Sequence, residues 1–196
     1  MLKIYCLELE EGKKTEFSIS MSEKYKTINA KSISNFAWYC LEKIIFKEFG
    51  LQISNEMISY NEFNKPYLNN RDIFFNISHS KNFVLIGISD CEIGVDIESL
   101  IPKERANRLV KRFNKKIIDE YNECLNKSEY FTKKWVLIEA YSKLLGTGLN
   151  AKLFKSFVMN DDGFIISFYD NKSAQLFYCA VINQTKEKMK VIFNTI

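Results

Sequence analysis

Gly94-Val95-Asp96-Ile97-Glu98, followed some three dozen residues later by Trp135-Val136-Leu137-Ile138-Glu139-Ala140-Tyr141-Ser142-Lys143, decides how this chain is read. In the first string, carboxylates alternate with apolar residues. On a strand, Asp96 and Glu98 therefore leave one face about 7 Å apart, while Ile93, Val95 and Ile97 point into a core. In the second string, Glu139 and Lys143 stand one helical turn apart on a helix anchored by Trp135, Leu137, Ala140, Tyr141, Leu144 and Leu145. Three carboxylates and a lysine in apolar surroundings suit a divalent cation held against a polyphosphate. The single histidine, His79, lies just upstream in Phe75-Asn76-Ile77-Ser78-His79-Ser80. The three segments frame one site.

Each piece has an ordinary explanation when taken alone. A carboxylate pair two residues apart can be a solvated strand end. A Glu to Lys pair at i,i+4 is usually a surface ion pair worth about 0.3 to 0.5 kcal/mol. A lone histidine is more often a satisfied structural residue than a ligand, and Ser78 with His79 holding a phosphate is the functional alternative. Trp135, Glu139 and Lys143, however, share one helical face, which sets a large aromatic beside both charges. Lys65, on a turn stiffened by Pro66, offers a further phosphate donor. Gly146-Thr147-Gly148 lacks the strand before it and the Gly-Lys-Ser/Thr after it that a phosphate loop needs, and reads as a helix stop.

Outward from these strings, the chain alternates strand and helix character. Leu2 to Leu9 reads as a strand ending in the turn Glu10-Glu11-Gly12-Lys13-Lys14, and Ala30 to Phe49 as an amphipathic helix closed by Gly50. Strands are expected at Met57 to Tyr60, Ile73 to Ile77, Phe83 to Ser89 and Ile93 to Ile97, with turns at Asn64-Lys65-Pro66, Asn69-Asn70-Arg71-Asp72 and Ser89-Asp90-Cys91-Glu92. Interrupted helix runs from Pro102 to Leu145. Strands return at Phe154 to Met159, Phe164 to Tyr169, Gln175 to Ile182 and Lys190 to Phe193, the first two joined by a hairpin turn at Asn160-Asp161-Asp162-Gly163. The order predicts an α+β fold of two halves, residues 1–100 and 101–196, meeting near 98 to 103 without a sequence repeat or a linker.

With 196 residues, 46% of them apolar, the chain can bury a sizeable core. No run approaches the roughly 18 uninterrupted apolar residues of a membrane span, and no signal-peptide cleavage pattern follows Met1; a soluble cytoplasmic protein is expected. Five cysteines, scattered and never in Cys-x-x-Cys, argue for reduced thiols rather than a disulfide framework or a zinc site. One histidine supplies a zinc or Ser-His-Asp catalyst poorly, whereas oxygen ligands for magnesium are plentiful. The net charge of +4, with Lys and Asn spread along the chain, reads as compositional drift rather than a nucleic-acid stripe and favours an acidic protein or a phosphorylated small molecule as partner.

Together these strings resemble the Sfp type of 4'-phosphopantetheinyl transferases. That family carries Gly-x-Asp-x-Glu, a gap of roughly 40 residues, then an aromatic, Lys-Glu and a lysine four residues beyond the glutamate, matched here by the two acidic strings. Asn64-Lys65-Pro66 stands for its Gly-Lys-Pro, and Phe75 to Ser80 for its Phe-Asn-x-Ser-His-Ser. The likeness is specific from about Tyr60 to Phe157. Before that, Glu23-Lys24-Tyr25-Lys26 and Lys31 align only loosely with basic residues of the family.

The resemblance implies two similar α+β halves related by a pseudo-twofold axis, with coenzyme A between them, in a monomer. It implies Mg²⁺-dependent transfer of the 4'-phosphopantetheine arm from coenzyme A to a serine of an apo acyl or peptidyl carrier protein of fatty acid, polyketide or nonribosomal peptide synthesis. Adenosine 3',5'-bisphosphate is released, as in holo-[acyl-carrier-protein] synthase. Asp96, Glu98 and Glu139 would hold Mg²⁺, with Glu139 or a metal-bound water helping to deprotonate the serine. Lys143 and His79 would neutralise phosphate charge, and Lys65 and Ser78 would position coenzyme A. No nucleic acid and no membrane enter this picture.

Two residues depart from the family pattern. Ile138 replaces the lysine before the metal glutamate, removing a cation expected near the pyrophosphate and worth roughly ten- to 150-fold in rate. Lys134 is a candidate replacement. Asn64 replaces glycine, a milder change because asparagine tolerates left-handed backbone. The competing readings are a catalytically weakened binder of coenzyme A or of a carrier protein, motivated by Ile138, and a structural domain whose acidic strings form surface ion pairs.

Overall fold

The computed structural model describes residues 2–9, 28–69, 72–157, 163–183 and 190–193. Strand β1 (Leu2–Glu8) leads to helix α1 (Ile28–Phe49), a short antiparallel pair β2 (Ile58–Tyr60) and β3 (Pro66–Leu68), and the hairpin β4 (Phe74–Ser80) and β5 (Phe83–Ser89). Next come β6 (Ile93–Ser99), helices α2 (Lys103–Leu109) and α3 (Lys115–Glu123) with a 3-10 turn between them, and the long α4 (Lys127–Leu145). Helix α5 (Ala151–Ser156), the hairpin β7 (Gly163–Asp170) and β8 (Gln175–Asn183), and β9 (Lys190–Phe193) complete the order.

Two sheets carry the fold. One has the order β4-β5-β1-β9 and the other β6-β8-β7. Strand, long helix, hairpin occurs twice, as β1, α1, β4-β5 and as β6, α4, β7-β8. In both copies the first strand pairs antiparallel with the second strand of the hairpin. Sheet membership does not change at residue 100: β6 precedes it yet belongs to the second sheet, and β9 crosses back to lie parallel to β1.

Alternation of side chains along the strands produces three apolar clusters among the described residues. Tyr5 and Leu7 of β1 pack with Phe36, Leu41 and Ile45 of α1. Leu2, Ile4 and Cys6 on the opposite face meet Val95, Ile97, Phe177 and Val181 across the gap between the sheets. Tyr178, Ala180 and Ile182 turn away from that gap, toward Trp135, Val136 and Ile138 of α4. β1 and β8 each bury both faces, and this period-two distribution fixes their registers.

The strand at Leu2 to Leu9, the helix up to Phe49, and the strands at 83, 93, 164, 175 and 190 lie where the pattern puts them, to within a few residues. Gly146 ends α4 with φ +65, and its N–H reaches back to the carbonyls of Ser142 and Lys143. The strand expected at Phe154 to Met159 is corrected over its described part, because Ala151–Ser156 is helical; residues 158 and 159 lie outside the described residues. Asn150 caps the helix, its side chain accepting from the Leu153 N–H at 2.9 Å, and Phe154 packs edge-on to Phe113 with ring centroids 5.0 Å apart. The apolar residues Phe154, Phe157, Val158 and Met159 read as a strand when the cap at Asn150 is overlooked, and the cap decides otherwise. The turn residues 10–14, 70–71 and 160–162, and Glu23 to Lys26, lie outside the described residues, as does the side chain of Lys31.

Gly94 sets how closely α4 approaches β6. A Cβ there would stand 1.9 Å from the Ala140 carbonyl oxygen and 2.5 Å from the Leu144 nitrogen. We expect Gly94→Ala to cost about 3 kcal/mol in urea unfolding at pH 7, at the upper end of overpacking penalties. A loss below about 1 kcal/mol would mean that the helix does not rest on this strand.

Candidate active site

β6 is an edge strand of its sheet. The side chains of β4 satisfy the N–H groups it presents away from β8. Asn76 Oδ1 accepts from Val95 N at 2.9 Å, Ser78 Oγ from Ile97 N at 3.3 Å and Ser80 Oγ from Ser99 N at 3.3 Å. The two hydroxyls also donate to carboxylates, Ser78 to Asp96 Oδ1 at 2.7 Å and Ser80 to Glu98 Oε1 at 2.8 Å. Polar side chains at every second position thus take the place of a backbone ladder, and they aim both acidic groups of β6 at the same time.

Helix α4 closes the site. Lys143 Nζ lies 2.7 Å from Asp96 Oδ1 and 2.8 Å from Ser78 Oγ, so the three motifs meet at one group of atoms. Asp96 is buried; burial pushes its carboxyl above the ordinary value, against the opposing pull of Lys143 and the Ser78 hydroxyl. Glu139, one turn before Lys143, is pushed up to about 7 by burial first and then by the charge of Asp96, with Lys143 opposing and Glu98 adding. Glu98 also accepts from the Ser99 N–H at 2.9 Å and lies 3.9 Å from Arg105 Nη1.

The remaining expected residues are more dispersed. His79 follows Ser78 on β4, points to the opposite face and is exposed at its edge. Its imidazole is held below the ordinary value by partial desolvation and then by Lys143, with Asp96 opposing. Lys65 Nζ is bound to Glu92 Oε2 at 2.5 Å and to the Leu144 carbonyl at 3.1 Å, a cation at the C-terminal end of α4. Asn64 adopts φ +64, the left-handed geometry for which glycine serves elsewhere. Lys65 and Lys143 line a recess of about 220 Å³ together with Phe63, Asn76 and Gly146.

Two residues of α4 face away from this cluster. Ile138 is fully buried in the second half's core, and Trp135 packs there against Phe131 and Phe154. Position 138 therefore fills the interior in this chain, and the helical face shared by Trp135, Glu139 and Lys143 runs from core to site. Lys134, its side chain largely shielded, pairs with Glu120 at 3.4 Å and lies over the Tyr130 ring. Asn76 and Ser80 are the members of the site that the acidic strings did not call attention to. Their signal is the period-two run Asn76, Ser78, Ser80, which matches the spacing of Val95, Ile97 and Ser99.

Among the described residues, no group of three or more His, Cys, Asp or Glu side chains is closed into a metal cage. Yet the donor set suits a hard divalent cation. Glu139 feels both Asp96 and Glu98, all the donors are oxygens, and the ammonium of Lys143 occupies the position of positive charge on Asp96.

A sequence profile described as the 4'-phosphopantetheinyl transferase superfamily matches residues 92–190, half of the chain. The chain belongs to that superfamily. It is 32% identical over 119 residues to the 4'-phosphopantetheinyl transferase Sfp of Bacillus subtilis, covering 58% of this chain and 51% of that protein. It is 34% identical over 106 residues to the 4'-phosphopantetheinyl transferase gsp of Aneurinibacillus migulanus, covering 50% and 43%. To the L-aminoadipate-semialdehyde dehydrogenase-phosphopantetheinyl transferase of Saccharomyces cerevisiae it is 31% identical over 117 residues, covering 53% and 42%. The matches span about half the length of these curated relatives. No helix among the described residues is long and apolar enough to cross a membrane.

Ser78→Ala would orphan the Ile97 N–H and strip a hydroxyl from both Asp96 and Lys143. We expect a loss of about 1 to 3 kcal/mol by urea unfolding. Ser80→Ala should cost less, because the Ser99 N–H still holds Glu98. Equal losses would show that the contact at Asp96 is not the tighter of the two.

Proposed function

We propose that this protein transfers the 4'-phosphopantetheine arm of coenzyme A to a serine of an apo acyl or peptidyl carrier protein. The observation that carries the reading is the meeting of Ser78, Asp96 and Lys143 within 2.8 Å of one another, which joins three separate family motifs beside Glu139. Superfamily membership supports the same chemistry. The serine oxygen forms a bond to the phosphorus on the pantetheine side of the pyrophosphate. The bond to the other phosphate breaks, and adenosine 3',5'-bisphosphate leaves with the electron pair.

Such a reaction asks the protein for alignment and for charge to meet the phosphate oxygens rather than for a covalent nucleophile. In this reading Asp96, Glu98 and Glu139 would hold Mg²⁺, which supplies positive charge to the pyrophosphate when bound. Lys143, freed from Asp96, meets a phosphate oxygen, and His79 lends a donor at the edge of the site. Ser78 and Lys65 orient coenzyme A along the recess, and Glu139 accepts the proton of the serine. The two halves, 1–100 and 101–196, exchange strands at their seam and act as a monomer in the cytoplasm, serving fatty acid, polyketide or nonribosomal peptide synthesis.

Incubation with coenzyme A, Mg²⁺ and an apo carrier protein, followed by intact mass of the carrier, tests the proposal. One added phosphopantetheine arm, abolished by EDTA, is the expected result. Asp96→Asn and Glu139→Gln should each lower the rate by about 100-fold or more while the near-ultraviolet circular dichroism stays native. Full activity in both variants would overturn the assignment of the site.

A further inference from the structure

Among the described residues, Lys65 and Lys143 are the cations that line the 220 Å³ recess, and each already holds a carboxylate. Lys143 is paired with Asp96, and Lys65 with Glu92, a residue of the turn between β5 and β6. The two pairs differ in what can release them. Asp96 is a candidate metal ligand, and in the proposed reaction it gives up Lys143 to a phosphate oxygen. Glu92 has no such second role: among the described residues its one ion pair is with Lys65.

Lys65 is also pinned. Its Nζ donates to the Leu144 carbonyl at 3.1 Å, in the last turn of α4, where the helix presents partial negative charge. Its stem packs beside Gly146, with Lys65 Cδ 3.2 Å from the place a Cβ would take there. Asn61 fastens the same loop, donating to the Gly146 carbonyl at 2.8 Å and accepting from the Lys65 N–H at 2.8 Å. The ammonium thus sits between a carboxylate and a helix end, its positive charge compensated before any ligand arrives. Lys65 and Glu92 also line a neighbouring cavity of about 520 Å³ that Lys143 does not reach, so the pair stands away from the candidate metal carboxylates.

We propose that Glu92 is a specificity-determining residue: by holding Lys65 it cancels the advantage of a second phosphate on the substrate, so that the site takes coenzyme A and 3'-dephospho-coenzyme A alike. The inference rests on the transfer reaction above and deepens it by naming the substrate class. Coenzyme A carries two anionic groups, the diphosphate and the ribose 3'-phosphate. The diphosphate belongs with Lys143, Asp96 and Glu139, where the bond breaks, and what reaches Lys65 is the ribose end. A phosphate there gains a charge-assisted hydrogen bond from Lys65 and meets the repulsion of Glu92, whose Oε2 lies 2.5 Å from the same nitrogen. The two effects oppose, whereas a lysine without a carboxylate would favour the phosphate by about tenfold or more. Lys65 then serves the site through its stem, which walls the recess, rather than through its charge.

The test uses the full chain and compares coenzyme A with 3'-dephospho-coenzyme A as donors to an apo acyl carrier protein. In the wild type the two kcat/KM values should agree within about threefold. Glu92→Gln should favour coenzyme A by about tenfold or more, through KM rather than kcat. Adding Lys65→Met to Glu92→Gln should return the ratio to near one, which shows that the gain passes through Lys65 and not through a general loss of negative charge. Calorimetry with adenosine 3',5'-bisphosphate and adenosine 5'-monophosphate reads the same preference without turnover, so the two proposals fail separately. A wild type that prefers the 3'-phosphorylated ligand by about tenfold, in transfer or in binding, overturns the inference and leaves the reaction standing. So does an unchanged ratio in Glu92→Gln. Near-equal nucleotide affinities that become unequal in Glu92→Gln, without transfer from either donor, leave the role of Glu92 standing and overturn the reaction.

Discussion

The outward N–H groups of Val95, Ile97 and Ser99 must find acceptors, because they lie on the edge of a sheet that is packed against another. A buried amide without a partner costs about as much as a lost hydrogen bond. β4 meets the requirement with Asn76, Ser78 and Ser80 rather than with its own carbonyls. A side-chain ladder permits what a backbone ladder does not: the same hydroxyls go on to bond Asp96 and Glu98, and strands from different sheets run side by side. The seam is therefore at once the joint between the sheets and the fixture that aims the acidic groups.

Burying Asp96 is unfavourable unless the charge is paired and hydrogen-bonded. Lys143 and Ser78 supply both partners, and they arrive on different elements. Helix α4 can bring Lys143 that close only because Gly94 leaves no side chain under Ala140 and Leu144. On its far side the same helix is held by Val136 and Ile138, which are fully buried. Core packing on one face of α4 thus sets the distance of the ammonium on the other. The geometry of the site follows from the packing of apolar residues that never touch it.

Much of this was legible in the chain, for physical reasons that differ from element to element. Asp96 and Glu98 declared themselves because period two is a strict geometric rule in strands, and Glu139 with Lys143 because one helical turn separates them. The meaning of Asn76 and Ser80 was not legible, since a serine or asparagine in a strand looks the same whether it faces water or another strand's amides. Ile138 showed as a missing cation when compared with a pattern, whereas in space it is a core residue. Phe154 read as a strand because its helix is only six residues long and depends on the cap at Asn150, a local hydrogen bond that outweighs a weak apolar run. Lys65 looked like a free donor, and its engagement with Glu92 and the end of α4 comes from contacts 27 and 79 residues away.

The strand β9, residues 190–193, pairs parallel with β1 along the edge opposite β5, although it is far from β1 in the sequence. On a ribosome the first sheet can assemble β1, β4 and β5 early, but β1 gains its pairing with β9 only once synthesis has passed residue 193. Among the described residues only β9 covers that edge, and an uncovered strand edge is a template for pairing with other chains. The second half has to fold while the first is still unfinished, so synthesis delivers two interdependent units rather than one completed module followed by another. The residues of the site are therefore all made before the last strand of the first sheet.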